Sequence, residues 1–193
     1  MYGVNVTDWN NDGWQDILTS PYCRSGGSLF CNNKNGTFTD VARDVGYNAH
    51  TMQGDNGQNL CQWEANPGDY NNDGYMDLLQ DFVHGGYDNY EGRTTIVTNL
   101  GEENGYRLRW DLDRIRRDAP KNSHLGDQGS QFFDLNGDGL LDVCIGQMAY
   151  PDANIYGQER LYICMQNDTG YFDDISKAIG VYDFKEAHSM EPV

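Results

Sequence analysis

The sequence predicts an all-β protein built from repeated units of four antiparallel strands. Two observations predict this fold class: a nine-residue acidic loop occurs three times, and short apolar runs without helical periodicity flank every copy. The loops begin at Asp8, Asp69 and Asp134, which are 61 and 65 residues apart. This spacing exceeds the repeat length of a solenoid and suits a unit of four short strands.

Each loop reads Asp-x-Asn-x-Asp-Gly-x-x-Asp, and the copies span 8–16, 69–77 and 134–142. Oxygen-bearing side chains stand at positions 1, 3, 5 and 9, and a backbone carbonyl is expected near position 7. Calcium takes about 6–8 such oxygens in a flexible cage, whereas magnesium keeps its waters in a strict octahedron. A glycine at position 6 permits the sharp turn. We therefore predict three calcium ions, one in each loop.

The residues after each loop exclude an EF-hand, which carries a Glu at position 12 and continues into a helix. Position 12 is Thr19, Gln80 or Ile145, and each loop runs into a short apolar segment. The loops are therefore expected to lie between strands. A polar hairpin turn without metal is the alternative for any single copy, but three copies favour calcium.

Four strands are predicted in each unit, in the same order. The first strand ends where the loop begins, the second strand starts at the last aspartate of the loop, and the third and fourth strands form a hairpin. The predicted strands are 2–7, 16–19, 28–32 and 37–41, then 62–67, 77–83, 94–99 and 106–110, then 130–133, 142–147, 161–165 and 171–175. The units occupy residues 1–61, 62–129 and 130–187, and residues 188–193 are expected to begin the first strand of a further, truncated unit.

The hairpin turns agree between units as well as the loops do. The segment Leu29–Val41 is echoed by Leu161–Ile175, and the pairs Val45-Gly46 and Ile179-Gly180 follow in register. Together with the three loops, this turn resembles the FG-GAP repeats of the VCBS type that occur in integrin α-chain propellers and in cartilage acidic protein-like secreted proteins. The resemblance covers nearly the whole chain.

This resemblance implies a β-propeller with one four-stranded blade per unit and calcium on the loop between the first two strands. The side-chain ligands carried over by position are Asp8, Asn10, Asp12 and Asp16; Asp69, Asn71, Asp73 and Asp77; and Asp134, Asn136, Asp138 and Asp142. Backbone carbonyls of Trp14, Tyr75 and Leu140 would complete the three sets. Propellers typically close with about 4–8 blades. Three units are therefore expected to be a fragment of a larger propeller, with a trimeric or tandem assembly as the alternative.

Composition restricts the partners. The net charge is −17, from 30 acidic and 13 basic residues, so nucleic acid and anionic membranes are poor partners. No apolar run approaches the roughly 18 residues of a membrane span. Six of the basic residues lie between Arg107 and Lys121. Their charge is expected to be balanced by the interleaved Asp111, Asp113 and Asp118, or by an acidic partner such as a neighbouring copy or an anionic glycan.

Cysteines and glycosylation sequons favour an oxidising, extracellular location. Disulfides are predicted between Cys23 and Cys31 and between Cys144 and Cys164, with Cys61 unpaired within the chain; buried free thiols are the alternative for each pair. Sequons begin at Asn5, Asn35 and Asn167, of which Asn5 is the weaker because it lies in a predicted strand.

These observations predict a non-catalytic, calcium-stabilised extracellular propeller that binds protein or glycan, in adhesion or in matrix or surface assembly. The expected contact face lies opposite the calcium loops, on the connectors Ala42–Leu60, Arg107–Gly129 and Ser176–Ala187 and the loops between second and third strands. Those loops carry Tyr87, Tyr90, Tyr150 and Tyr156, which either anchor a ligand or cover blade edges.

An enzyme is the alternative to a binding module. The four histidines are scattered, and the chain has neither a His-Glu-x-x-His nor a Gly-x-Ser-x-Gly motif. Aspartates outside the loops are expected to be solvated surface charge. The alternative function is the propeller portion of a secreted polysaccharide lyase or hydrolase, because function belongs to sites and not to the fold.

Overall fold

The computed structural model describes residues 3–21, 26–48, 61–82, 93–117, 125–149 and 160–181. Three antiparallel sheets follow one another along these ranges. The first contains β1 (Gly3–Thr7), β2 (Asp16–Ser20), β3 (Ser28–Asn32) and β4 (Phe38–Asp40), and is followed by one helical turn, α1 (Ala42–Val45). The second contains β5 (Gln62–Gly68), β6 (Asp77–Phe82), β7 (Thr95–Asn99) and β8 (Leu108–Asp111), with a 3-10 turn at Glu102–Asn104. The third contains β10 (Leu125–Phe133), β11 (Asp142–Ala149), β12 (Arg160–Gln166) and β13 (Phe172–Asp174), while β9 (Ile115–Arg116) lies in the connector before it.

Apart from β9, strands that are consecutive in sequence are neighbours within each sheet, so each sheet is an up-and-down blade. This arrangement confirms the predicted all-β fold class: the described chain is a partial propeller of three blades. All twelve predicted strands are present. The largest shift is at β10, which begins at Leu125, five residues before its predicted start, and contains a bulge between Asp127 and Gly129.

The acidic loops connect the first two strands of every blade. Their ends are register partners: Thr7 pairs with Asp16, Gly68 with Asp77 and Phe133 with Asp142. The last aspartate of each loop is therefore the first residue of the second strand. This arrangement confirms the prediction that the loops lie between strands.

Two separate apolar cores lie between neighbouring blades, and no residue belongs to both. The core between blades 1 and 2 joins Leu18 and Leu29 of the first sheet to Ala65, Leu78 and Val97 of the second. The core between blades 2 and 3 contains Tyr70, Leu79, Ile96, Phe132, Val143, Ile145, Tyr162, Cys164 and Phe172. Leu78 and Leu79, which are consecutive in β6, thus face different neighbouring blades, as the two-residue period of a strand requires. Burial between blades, not within them, holds the molecule together.

Side-chain amides repeat at both junctions between blades. Asn5 donates to the Ala65 carbonyl at 2.9 Å, and Asn66 donates to the Ser130 carbonyl at 2.9 Å. The remaining amide–carbonyl pairs are Asn11 to Gly74 (2.8 Å), Asn72 to Gly139 (3.1 Å), Asn99 to Trp9 (2.8 Å) and Gln166 to Tyr70 (2.8 Å). Each junction therefore has the same three contacts, from the first strand, from the loop and from the third strand.

One short strand was not predicted. β9 lies beside β13 in parallel, with Ile115 opposite Phe172, so the connector from blade 2 becomes a fifth strand on the outer edge of blade 3. A backbone hydrogen bond from the Phe172 N–H to the Arg114 carbonyl (3.0 Å) begins the pairing. A two-residue strand gives no periodic signal in a sequence, which is why the pattern did not predict it.

The predicted disulfides are wrong. Cys31, Cys144 and Cys164 are free thiols. Cys144 is the register partner of Ile163, and Cys164 that of Val143, so the two cysteines point to opposite faces of the sheet although their strands are adjacent. Cys61 is disulfide-bonded, contrary to the expectation that it is unpaired. Cys23, the predicted partner of Cys31, lies outside the described residues.

Candidate calcium loops

The three acidic loops share one backbone conformation. At position 6, Gly13, Gly74 and Gly139 have φ values of 85°, 86° and 86°. Position 4 is also left-handed, with φ of 52° at Asn11, 56° at Asn72 and 75° at Gly137. Glycine and asparagine tolerate this region, whereas β-branched and bulky residues do not. The repeated sequence therefore produces a repeated turn, and its oxygen-bearing residues occupy equivalent places.

Backbone N–H groups bind the side chains at positions 1, 3 and 5 inside each loop. In the first loop, Asp8 accepts hydrogen bonds from the N–H groups of Asp12 (3.0 Å) and Gly13 (2.8 Å). Asp12 in turn accepts from the N–H of Trp14 at 2.9 Å and from the Asn10 amide at 3.1 Å. The second loop repeats these contacts through Asp69, Asn71 and Asp73. The third loop repeats them through Asp134, Asn136 and Asp138, except that Asp134 accepts from the N–H of Gly137 (2.7 Å) in place of that of Asp138.

The aspartate at position 9 is buried and ties three parts of the blade together. Asp77 is fully buried; it accepts hydrogen bonds from Asn99 N–H at the end of the third strand (2.8 Å) and from Tyr70 N–H inside the loop (3.3 Å). Asp16 makes the same contacts with Asn32 (2.7 Å) and Trp9 (3.3 Å). Asp142 makes them with Gln166 and Leu135, both at 2.9 Å. A carboxylate with two backbone donors and, among the residues that the structure describes, no cationic partner is thus present in all three blades.

In the first two blades, the surroundings of this aspartate disfavour its negatively charged form. Burial raises the pKa of Asp77 to about 8; the Asn99 N–H opposes the rise, and the nearby Asp73 and Asp69 carboxylates add to it. The pKa of Asp16 is raised in the same direction, first by burial. Desolvation and like charge both disfavour an ionised carboxylate. A bound cation would remove this penalty.

The donor set fits calcium in kind and in number. Each loop offers three carboxylates and one amide oxygen within nine residues, and a carboxylate oxygen that accepts one N–H retains a lone pair for a metal. Within the ranges that the structure describes, no three carboxylate, thiolate or imidazole side chains gather closely enough to hold a metal ion as they stand. The predicted ligands thus lie in one loop each, with their oxygens turned to the N–H groups of that loop.

The first loop differs from the others by a lysine. The Lys34 ammonium lies 3.2 Å from Asp12 Oδ2, and its side chain is about half exposed. Desolvation raises the pKa of Asp12, but the Trp14 N–H, Lys34 and the Asn10 amide outweigh it, so that the pKa lies below its usual value. Lys34 therefore supplies positive charge at a predicted calcium ligand, from the turn between β3 and β4.

The basic connector is largely neutralised within the chain. Arg109 and Arg114 both pair with Asp111, at 2.9 and 3.2 Å. Arg116 lies 3.7 Å from Asp173 of blade 3 and stacks on the Tyr171 ring, and the buried Arg117 pairs with Asp127. Asp111 thus neutralises arginines of the connector as expected. The other acidic partners are Asp173 and Asp127 of blade 3, and not Asp113. Arg116 and Arg117, together with Arg114, which donates to the Gly170 carbonyl at 2.8 Å, therefore tie the connector to blade 3.

Sequence reasoning missed a buried acidic pair at the same junction. Thr94 donates from its N–H to Asp127 at 2.8 Å, and its hydroxyl lies 3.0 Å from Asp81 and 2.8 Å from Asp127. Asp81 Oδ2 has no hydrogen-bond partner among the described residues. The only signal in the sequence is an aspartate within the apolar run 77–83, which had been interpreted as surface charge.

Several predicted functional residues fall outside the described ranges. They are Tyr87, Tyr90, Tyr150 and Tyr156 of the expected contact face. The four histidines, for which no function was predicted, lie outside those ranges as well. Of the sequon asparagines, Asn35 is exposed, whereas Asn5 uses its amide at the junction between blades 1 and 2. Asn5 is therefore a structural residue in this fold.

Comparison with protein families agrees with the repeated loops. The family model described as FG-GAP-like repeat matches residues 8–79, which run from the first acidic loop into β6 and include the second loop. The comparison with curated proteins gives no significant match. Among the described residues, no helix is long and apolar enough to cross a membrane.

Proposed function

We propose that this chain, which carries FG-GAP-like repeats, is a non-catalytic propeller that is stabilised by three calcium ions and binds a protein or glycan outside the cell. FG-GAP repeat domains are generally non-catalytic, which supports a binding role over an enzymatic one.

The observation that carries the calcium proposal is the threefold recurrence of one loop with one backbone conformation. A turn that served only to connect strands would not need three carboxylates in nine residues, because asparagine and glycine alone form such turns. The ligands would be the side chains at positions 1, 3, 5 and 9, with backbone carbonyls at position 7. Calcium would supply charge neutralisation, not chemistry on a substrate.

The position-9 aspartates explain how an ion would stabilise the whole blade. Each one bonds to its loop and to the end of the third strand, so a cation held at the loop also fixes the second and third strands. A ligand that binds only the folded state adds stability by mass action. Extracellular modules hold calcium with dissociation constants of about 10⁻⁴–10⁻³ M, so weak sites would suffice there.

Support for an extracellular location and for partner binding is indirect. Cys61 is disulfide-bonded, and structural disulfides persist in oxidising compartments. Four arginines of the connector, Arg109, Arg114, Arg116 and Arg117, are committed to contacts within the chain. An anionic ligand on those arginines would therefore have to compete with aspartates already in place, so the proposed partner is a protein or a neutral glycan.

Calcium titration of the metal-free chain by isothermal calorimetry tests the proposal. We expect three sites, and we expect Asp12→Asn, Asp73→Asn and Asp138→Asn each to remove one, because each loses a central carboxylate. The matched control is Asp113→Asn, which neutralises an exposed aspartate outside the loops. Fewer than two sites in the unaltered chain, or full stoichiometry in the three loop variants, would show that the loops are only turns.

A further inference from the structure

The third acidic loop contains a reactive dipeptide that the other two loops lack. Its positions 3 and 4 are Asn136 and Gly137, whereas the first two loops carry asparagine at both positions. An asparagine followed by glycine is especially prone to deamidation, because no side chain shields the glycine nitrogen as it attacks the asparagine amide. Asn136 and Gly137 are both exposed, so water reaches them.

The fold does not require a glycine at position 4. Gly137 has a left-handed φ of 75°, but Asn11 and Asn72 adopt 52° and 56° at the same position of their loops. A Cβ atom added to Gly137 would meet nothing within 4 Å. Neither packing nor backbone conformation therefore explains the glycine, so it distinguishes the third loop by its chemistry.

The third loop also differs in which N–H group its first aspartate holds. The Gly137 N–H donates to Asp134 Oδ1 at 2.7 Å. In the other two loops, the equivalent oxygen accepts from the N–H at position 5, that of Asp12 or Asp73, at 3.0 Å. A carboxylate therefore lies on the nitrogen that attacks in deamidation, where it can accept the proton that this nitrogen must lose.

The side chain of Asn136 is folded towards the same nitrogen. Its Oδ1 accepts a hydrogen bond from the N–H of Asp138 at 3.0 Å, which closes an Asx-turn over Gly137. This turn keeps the amide carbon of Asn136 beside its own main chain, which lowers the entropic cost of bringing the reacting atoms together. The Asp138 N–H would also stabilise the negative charge that forms on Oδ1 during the attack.

Another exposed Asn-Gly pair of the chain lacks the carboxylate and provides a comparison. Asn35 forms the same kind of turn, since its Oδ1 accepts the N–H of Thr37 at 3.1 Å and the Thr37 hydroxyl at 2.6 Å. Within the described part of the chain, no group accepts the N–H of Gly36. Asn35 therefore has the turn and the donors of Asn136, without a proton acceptor at the glycine nitrogen.

We propose that the metal-free third loop deamidates itself at Asn136 and that a calcium ion in the loop prevents this. The Gly137 nitrogen attacks Cγ of Asn136 while its proton passes to Asp134, and a tetrahedral intermediate forms. When the intermediate collapses, the Cγ–Nδ2 bond breaks and the amide nitrogen leaves as ammonia, carrying that proton. Water then opens the succinimide ring at either carbonyl and leaves aspartate or isoaspartate, with no change of oxidation state.

The part played by calcium rests on the proposed function, in which Asp134 and Asn136 are ligands. An ion polarises the Asn136 amide, but an Asp134 carboxylate engaged with the ion no longer accepts the Gly137 N–H, so the nitrogen keeps its proton and does not attack. Aspartate at position 136 would add a fourth carboxylate to the loop. Isoaspartate would lengthen the main chain by one carbon and displace the neighbouring ligands, so that a temporary loss of calcium becomes permanent.

Peptide mass spectrometry of the intact chain, produced without glycosylation, tests the proposal during incubation with a chelator or with calcium. Without metal, we expect Asn136 to deamidate at least about tenfold faster than Asn35, because a placed proton acceptor commonly contributes more than this. With calcium, the rate at Asn136 should fall to that at Asn35 or below, while Asn35 is unaffected. Equal rates at the two asparagines without metal would overturn the proposal.

Two variants separate the effect of the carboxylate from that of the glycine. Asp134→Ala removes the proton acceptor and should slow deamidation of Asn136 at least about tenfold without metal. The matched control is Asp8→Ala, at the same position of the first loop, which should leave that rate unchanged. Gly137→Asn keeps every predicted side-chain ligand and should also suppress the reaction. Circular dichroism checks that each variant folds, and an unchanged rate in folded Asp134→Ala would overturn the proposal.

Calorimetric titration of the same samples distinguishes failure of this inference from failure of the proposed function. A third loop that fills with calcium while Asn136 deamidates as fast as in chelator would overturn the protective role and leave the calcium proposal intact. A third loop that binds no calcium would defeat the proposed function at that loop. The metal-free comparison of Asn136 with Asn35 would then still decide whether the loop deamidates itself.

Discussion

The residue at position 9 of each loop shows how one carboxylate serves both structure and electrostatics. Asp16, Asp77 and Asp142 accept two backbone N–H groups each, which satisfies donors that the end of the third strand would otherwise leave unpaired. An asparagine there could not accept both bonds, because half of its amide is a donor. The two backbone donors thus require a carboxylate at this position. A bound cation would offset the unfavourable negative charge that the carboxylate brings.

Lys34 is predicted to weaken calcium binding at the first loop. Its ammonium must leave Asp12, or share that carboxylate, when an ion arrives. Exposed pairs contribute little, so Lys34→Ala should tighten the first site by at most about fivefold and leave the other two unchanged. Calorimetric titration measures this. Arg43→Ala, which removes an exposed positive charge on α1, is the control and should change nothing; a weaker first site in Lys34→Ala would contradict the prediction.

Asp81 is predicted to make the protein less stable as the pH rises. Burial raises its pKa to about 8 from 3.8; Asp127 adds to the rise, and the Thr94 hydroxyl opposes it. Between these values the folded chain binds more protons than the unfolded chain, so the free energy of unfolding falls as pH increases, by up to about 1.4 kcal/mol per pH unit.

The test compares the chain with Asp81→Asn by urea denaturation at pH 5, 6, 7 and 8, with saturating calcium so that the loops contribute little. The variant cannot ionise, so its stability relative to the unaltered chain should improve steadily towards pH 8. Parallel pH profiles would show that Asp81 does not carry the effect.

Among the elements, the junction contacts decide how firmly the blades are joined. Gln166 is 7 % exposed and donates to the Tyr70 carbonyl of the preceding blade at 2.8 Å. Gln166→Ala leaves a buried carbonyl without its donor, which costs about 1–3 kcal/mol. Urea unfolding should show this loss. Asn104→Ala removes an exposed amide–carbonyl bond to Leu100 in the same blade and should cost below about 0.5 kcal/mol. Equal losses in the two variants would show that the junction bond contributes no more to stability than a bond within a blade.

At the scale of elements, the sequence predicted where the strands lie but not which face of a sheet each side chain occupies. The short apolar runs and the position of the loops predicted all twelve strands to within five residues, because both signals are local. The pairing of Cys144 with Cys164 failed because it depended on register: a difference of one residue places the two thiols on opposite faces. β9 was missed because its pairing with β13 depends on a distant segment.

For the whole molecule, the repeat predicted a partial propeller correctly, and the loops predicted where its acidic residues lie. The junctions were not predicted, since residues that join blades, such as Asn11 and Asn72, stand at a variable position of the loop to which the sequence analysis gave no role. Likewise Asp81, Asp127 and Arg117 looked like surface charge and are buried between blades. A buried ionic contact carries no signature in one sequence, because only the fold decides which charges meet.

The parallel strand β9 has a consequence for aggregation. The outer strand of a blade presents unpaired N–H and C=O groups, and such edges invite pairing with another chain. On blade 3 that edge is occupied by β9, supplied by the connector from blade 2, with Arg116 and Asp173 beside each other at its surface. A blade cut away from its predecessor would lose this cover. Blade 3 should therefore be less soluble alone than when joined to blade 2, because the connector protects its edge.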